Sequence, residues 1–475
     1  MTRRTLLAAA LALGLAAGAF AQALPDGVKK VTSVEGITEY SLPDGLRVLL
    51  FPDPSKPKLT VNMTYMVGSR HEGYGETGMA HLLEHVLFLK TKTRDNVKQD
   101  LTNHGAQWNG STWYDRTNYF ETVTASDDNL KWAIGLEADR MVNALISKEI
   151  MEPEMTVVRN EFEMGENSPE RMLYQRTLEA AYTFHNYGKS TIGARSDIEH
   201  VPYNRLQAFY EKYYQPDNAM LMISGQFDPA KALAYASAAF AAVPKPARVL
   251  DKTYTEEPTQ DGERIVRLRR VGDVQGLIAV YHAPAATHPD AAVLEVLAGV
   301  LGETPSGRLY KALVDNKKAV SADLEMQQLH DPGYLMASVR VRKDQSLDEA
   351  RNIMVKSIEG LVNEPPSKEE VERAKARLLK QIDLALTNSE MIGITMSEYA
   401  SAGDWRLLFV HRDGIKKTSE QDVLRVAKAY LKESNRTIGE FIPTAKPDRA
   451  EIPAAPDVAV SLKDFKGGEE VQQGE

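Results

Sequence analysis

Gly78-Met79-Ala80-His81-Leu82-Leu83-Glu84-His85-Val86-Leu87-Phe88-Leu89 is the stretch on which the reading of the chain turns. Met79, Leu82, Leu83, Val86 and Leu87 recur at helical spacing, and Thr77 is placed to cap the first turn. At about 100° per residue, His81 and His85 differ by a net of about 40°, so both imidazoles leave one face a turn apart and can converge on one ion. Glu84 projects beside them. An unpartnered imidazole is costly to bury in so apolar a helix, which favours a metal over an ordinary surface pair. Upstream, Val31 to Pro52 alternates as strands around a turn at Pro43-Asp44-Gly45, and Leu59 to Val67 (LTVNMTYMV) is another strand, so a sheet hands over to this helix.

Downstream, a strand pair is predicted around Trp108 to Thr124, then amphipathic helices at Asp128 to Ile146 and Pro153 to Glu166. A loop-rich stretch with His185-Asn186-Tyr187-Gly188 follows, then a helix ending near Tyr214 and a strand from Ala219 to Ser224 that Gly225 ends. Val243 to Gly262 (VPKPARVLDKTYTEEPTQDG) holds prolines and charges with little apolar periodicity, which marks a linker. Beyond it the order recurs: strand Gly276 to Tyr281, helices Ala291 to Leu301 and Leu309 to Lys317, strand Gly333 to Val341. Helices near Leu347 to Leu361 and Lys368 to Leu386 and a last strand near Arg436 to Ile442 complete it. The expected fold is α+β: two similar α/β domains, each a mixed sheet packed by helices, facing each other across a chamber. The expected boundaries are a processing segment at 1–23, a first domain at 24–245, the linker at 246–262, a second domain at 263–449 and a loosely ordered tail at 450–475.

The 475 residues carry a net charge of −9 with basic and acidic residues interleaved, which excludes the electrostatic footprint of a nucleic-acid binder. Cysteine is absent, so any metal must sit on His, Asp or Glu. Arg3 and Arg4 precede an apolar run from Leu6 to Phe20 too short for a comfortable span, with small residues at Ala19, Ala21 and Ala23. This pattern predicts a secretory signal by the ordinary route, an exported, periplasmic protein and no stable membrane insertion.

Two neutral imidazoles suit zinc, and a carboxylate that is not a ligand can take a proton from water acidified by that ion. The spacing is the H-x-x-E-H signature of the inverted zincins. A catalytic zinc needs a third protein ligand and an open position. Glu154 and Glu161 lie seven residues apart on one predicted helix, sharing a face but separated by roughly 10 Å along its axis. One would be a ligand and the other a supporting carboxylate, and spacing leaves the choice open.

The chain resembles the peptidases typified by pitrilysin, insulin-degrading enzyme and the mitochondrial processing peptidase. The resemblance rests on Gly78 to His85 (GMAHLLEH), Gly105 to Gly110 (GAQWNG), Glu154 to Glu161 (EMTVVRNE) and Tyr213 to Gly225 (YYQPDNAMLMISG), and spans essentially all of the chain after the processing segment. It implies that His81, His85 and Glu161 hold Zn2+, that Glu84 is the general base and that Glu154 is the supporting catalytic carboxylate. It also implies that a substrate peptide adds as a strand beside Trp108 to Thr124, where Asn109 is placed to bind substrate polar groups.

One departure qualifies the likeness. Active relatives carry an Arg and a Tyr seven residues apart in the second unit, and alignment on Ser306-Gly307-Arg308-Leu309-Tyr310 puts those places on Val314 and Ser321. Neither can stabilise an oxyanion, a loss worth about 100- to 1000-fold in rate. The expected remedy is a heterodimer with a related chain that lacks the zinc motif but carries Arg and Tyr, otherwise a homodimer; Arg308 with Tyr310, or Tyr334, are substitutes within this chain. The sequence thus predicts an exported zinc metalloendopeptidase acting on peptides or unfolded segments. The alternatives are a non-catalytic peptide-binding or assembly subunit and another metal-dependent amide hydrolase.

Overall fold

The computed structural model describes residues 23–468, so the expected processing segment lies, but for its last residue, outside the described part. The first sheet comprises β1 (Lys29–Val34), β2 (Ile37–Ser41), β3 (Arg47–Pro52), β4 (Lys58–Tyr65), β5 (Gln107–Thr112), β6 (Thr117–Thr124) and β7 (Ala219–Gly225), in the order β1-β2-β3-β7-β4-β6-β5. Its helices are α1 (Met79–Val86), α2 (Val97–Asn103), α3 (Asp127–Asn143), α4 (Lys148–Glu166), α5 (Pro169–Ala181), α6 (Arg195–Glu199), α7 (Tyr203–Tyr213) and α8 (Pro229–Phe240). The second sheet comprises β8 (Arg264–Arg270), β9 (Val274–His282), β10 (Ser321–Gln327), β11 (Tyr334–Arg342) and β12 (Arg436–Pro443), in the order β10-β11-β9-β12-β8. With it run α9 (Asp290–Gly302), α10 (Leu347–Glu359), α11 (Lys368–Leu386), α12 (Met391–Ser401), α13 (Leu407–Lys417) and α14 (Glu420–Tyr430). A short α15 (Val458–Leu462) lies in a tail whose described residues 450–468 are all exposed.

The two sheets repeat one pattern. In the first, β3 pairs parallel with β7, which pairs antiparallel with β4, then β6, then β5. In the second, β8 pairs parallel with β12, then antiparallel β9, β11 and β10 follow. β5 and β10 are therefore equivalent free edges, and α9 takes in the second unit the place of α1. The expected mixed α/β fold in two similar halves is the fold observed.

Alternation along the central strands divides two cores. On β4 and β7, Leu59, Val61, Met63, Leu221 and Ile223 face the helices of their own half, while Met220 and Met222 face Ile392, Met396 and Trp405 from the second half. On the second sheet, Leu277, Ala279 and Tyr281 face its own helices, while Ile278 and Val280 face Leu173 and Leu178 of α5. Each half lends one helix, α5 or α12, to the sheet of the other.

Several boundaries differ from expectation. The loop-rich stretch after residue 166 begins with α5, started by Ser168, whose side chain accepts from Arg171 N, and by Pro169 in the first turn. α4 begins at Lys148 and passes through Pro153, because the lost hydrogen bond falls on the carbonyl of exposed Glu149 near the helix start, where water serves it. The helix expected at Leu309 to Lys317 is a π-helical turn over Tyr310–Asp315, closed by Lys317 at φ 57°. β8, β10, α2, α6, α8, α12, α13 and α14 lie where the sequence reading places no element. Thr77 does not cap α1: its hydroxyl is bonded to Asp197, and Gly78 stands at the cap.

Candidate active site

α1 starts where Gly78 turns at φ 93°, a conformation that favours glycine, and its first amides are met by a carboxylate. Gly78 N and Ala80 N each donate to the buried Glu72 at 2.9 Å, so the helix that bears the histidines is capped from the preceding turn. Its apolar stripe of Met79, Leu82, Leu83 and Val86 is buried, which turns His81, Glu84 and His85 toward the other side. There α4 brings Glu161.

The imidazoles of His81 and His85 stand 4.8 Å apart between centroids, at 84° to each other. Glu161 Oε2 is 3.6 Å from His81 Nε2 and 3.5 Å from His85 Nε2. Ligand atoms about 2.0–2.1 Å from a tetrahedral zinc are separated by roughly 3.4 Å, so the two separations from Glu161 suit such an ion, and all three ligand atoms lie within 4.8 Å of one another. Burial, then the neighbouring His85, pull the His81 pKa down to about 4, leaving a neutral ring with a lone pair for a metal. Its Nδ1 is buried without a hydrogen-bond partner among the described residues. Glu161 is the open member, with 36% of its side chain exposed.

Glu154, the other carboxylate on α4, is not at the triangle. It accepts from His85 Nδ1 at 2.9 Å and from Lys98 Nζ at 3.2 Å, the arrangement that fixes the tautomer with Nε2 free. Burial pushes its carboxyl up, but the His85 bond and the Lys98 charge outweigh this and hold it below its ordinary value. Glu84 lies in the same cavity as His81 and Glu161, a space of about 630 Å³, and its Oε2 accepts from Thr112 Oγ1 at 2.7 Å. Burial raises the Glu84 pKa against the opposing Thr112 bond, moving it toward the range useful to a general base. A Cβ at Gly110 would come within 2.9 Å of Glu84 Cγ and Oε1, so glycine is what lets β5 approach.

The structure thus brings His81, His85 and Glu161 together, with Glu84 and Glu154 adjoining. It does not bring Asn109 among them: this residue is exposed on β5 and its Oδ1 accepts from Gly110 N, while Gly110, Ser111 and Thr112 line the cavity. Thr112, Gly110, Lys98 and Glu72 escaped the sequence reading. The two-residue alternation that places Gly110 and Thr112 on one face of β5 was the available signal for the first pair. The proposed substitutes also fall elsewhere. Arg308 is spent on Glu370 and on the carbonyls of Glu364 and Pro365, and the Tyr334 hydroxyl is bonded to Tyr174. Val314 packs against the second core and Ser321 is exposed on β10. α9, in the place of α1, carries no histidine.

Residues 47–195 match a family model described as insulinase (peptidase family M16), and residues 200–378 match one described as the peptidase M16 inactive domain. The zinc protease PqqE of Helicobacter pylori is 28% identical over 404 residues, covering 84% of this chain and 90% of that protein. An uncharacterised zinc protease of Mycobacterium leprae is 32% identical over 202 residues, which take in 42% of this chain and 45% of the relative. A protease structure from Helicobacter pylori superposes with a TM-score of 0.82 at 27% identity, covering 86% of this chain and 99% of that one. The periplasmic protease PqqL of Escherichia coli shares the fold, with a TM-score of 0.71 at 17% identity over 94% of this chain and 52% of that one.

Proposed function

Because the chain belongs to peptidase family M16, we propose that it is an exported zinc metalloendopeptidase that hydrolyses peptides or unfolded segments. The observation that carries this reading is the convergence of His81 Nε2, His85 Nε2 and Glu161 Oε2, whose donor atoms lie within 4.8 Å of one another beside an open cavity that also holds Glu84. These three would hold the ion. Zinc, when bound, supplies the Lewis acidity that polarises a scissile carbonyl and makes water a nucleophile near neutral pH. Glu84 takes the proton of the attacking water on a carboxylate oxygen and delivers it to the leaving amine. Glu154 holds His85 by Nδ1, and Thr112 holds Glu84. The unpaired edge of β5 offers ladder hydrogen bonds to an extended peptide, with Asn109 as a polar contact on that strand.

The periplasm is the proposed compartment, from the N-terminal pattern of Arg3, Arg4 and the apolar run; among the described residues no helix is long and apolar enough to cross a membrane. The first domain at 24–245 is proposed as the zinc-bearing unit and that at 263–449 as its companion.

A second reading is favoured by Val314, an apolar side chain packed against the second core, and by Ser321, which lines the cleft over the second sheet and not the cavity of His81 and Glu84. It makes the chain a peptide-binding subunit, or a peptidase completed by a related chain that supplies Arg and Tyr. One experiment separates these. Turnover of an unfolded polypeptide is measured with the purified chain, alone and with any co-purifying relative, alongside Glu84→Gln. The proposal expects turnover that Glu84→Gln abolishes while zinc content stays unchanged. Full zinc occupancy without cleavage in either preparation gives the binding role instead.

A further inference from the structure

Two cavities meet at α5. One is the cavity at the histidines, about 630 Å³; the other, about 400 Å³, lies between α5 and the face of β9, β11 and β10 in the second sheet. Arg171 and Tyr174, one turn apart on α5, line both. Tyr174 is fixed as the wall between them, its hydroxyl 2.8 Å from that of Tyr334 and 3.4 Å from that of Tyr114. The Arg171 side chain extends toward the end of α4: its Cδ lies 4.0 Å from where a Cβ on Gly165 would stand, and Gly165 is one turn beyond Glu161.

Arg171 is exposed, and its guanidinium has no hydrogen-bonded or ionic partner among the described residues. Carboxylates close by in sequence are already engaged, Glu170 by Arg340 and Glu166 by Arg270. A planar fork of five N–H donors left unpaired where two cavities share a lining suits a run of carbonyl acceptors passing from one to the other. The second cavity is also placed by the repeat. It opens beside β10, the free edge equivalent to β5, so a strand-like occupant can follow one edge and then approach the other.

We propose that Arg171 is a substrate-binding residue. It holds backbone carbonyls of a polypeptide that passes from the metal cavity into the cleft over the second sheet, which makes the protein selective for peptides long enough to fill both. The identity of the occupant rests on the peptidase reading; the placement of Arg171 does not.

The test measures binding rather than turnover. The zinc-loaded full chain carrying Glu84→Gln is titrated with two fluorescent peptides sharing one central sequence, about 5 and about 15 residues long, or about 16 and 50 Å when extended. The expected result is that the long peptide binds at least tenfold more tightly than the short one. Arg171→Ala in the same background removes most of that preference, and Arg171→Lys, a point charge without the fork, keeps part of it. Equal affinity for the two lengths in the parent, as when a partner chain owns the second cleft, overturns the proposal. So does a length preference that survives Arg171→Ala. Hydrolysis by the chain with Glu84 intact is scored separately, so failure of the peptidase reading is distinguishable from failure of the Arg171 assignment.

Discussion

Glu84 stands where it does because Gly110 leaves room for it and Thr112 holds it. Gly110→Ala would press a methyl group against Glu84 and the Phe88 ring, each 2.9 Å from the added carbon. Misplacement of a reacting group on that scale costs on the order of 100-fold in kcat. The expected outcome is that loss with zinc content unchanged. Thr112→Val removes a hydrogen bond that lowers the Glu84 pKa, so the pKa rises and the acidic limb of the pH–rate profile moves to higher pH; an unmoved limb contradicts the role. Glu154→Gln leaves His85 Nδ1 without its carboxylate, and zinc affinity measured by competition with a chelator should fall about 10- to 100-fold. The pair of histidines and Glu84 could be read from sequence because one helix fixes their spacing. Glu154 and Glu161 could not be told apart, since they share a face. Only the pose of α4 shows that the first meets His85 Nδ1 and the second meets both Nε2 atoms. Lys98 and Thr112 arrive from other elements and leave no local mark.

At the scale of elements, the entry to α1 is the sensitive point. Gly78 has φ 93°, and a Cβ there would stand 2.6 Å from the Ile192 carbonyl oxygen. Gly78→Ala should therefore destabilise the fold by about 1–3 kcal/mol in urea titrations and weaken zinc binding with it, because the helix start must shift. A local start signal made some elements legible, though not α8 or α14, which also carry one. α11 runs over Lys368–Leu386 as expected, opened by a capping box between Ser367 and Glu370. α5 had an equally good signal in Ser168-Pro169, but its apolar residues serve the other half's sheet, and no neighbour in sequence reveals that. Thr77 looked like a cap by position, yet its hydroxyl is claimed by Asp197, a partner 120 residues away.

For the whole molecule, the halves are joined by a knot of charge as well as by exchanged helices. Arg70 Nε donates to Asp115 at 2.5 Å and its Nη1 lies 3.2 Å from Asp331, which also meets His185 Nε2 at 3.1 Å. Asp331 lies between β10 and β11, whereas Arg70 leads through Glu72 into α1, so the knot ties the second sheet to the helix of the candidate site. Burial alone would raise the Asp331 carboxyl, but His185, His330 and Arg70 outweigh it and hold it well below the ordinary value. A folded pKa below the unfolded one means fewer protons bound in the native state, so the stabilisation is whole above about pH 4 and fades as acid is added. Asp331→Asn should cost about 2 kcal/mol at pH 7, and the gap from the parent should narrow below about pH 4; a gap independent of pH would refute it. The repeated order of strands was visible in outline, but the reciprocal loan of α5 and α12 was not, since it depends on how two sheets dock. That loan also governs the nascent chain. At roughly 5–20 residues per second, Met396 leaves the ribosome about 10–35 s after Met222, the residue it must cover. Until then one side of a finished β-sheet is a sticky, half-built wall, and the growing polypeptide is a natural client for a chaperone that shields before it folds.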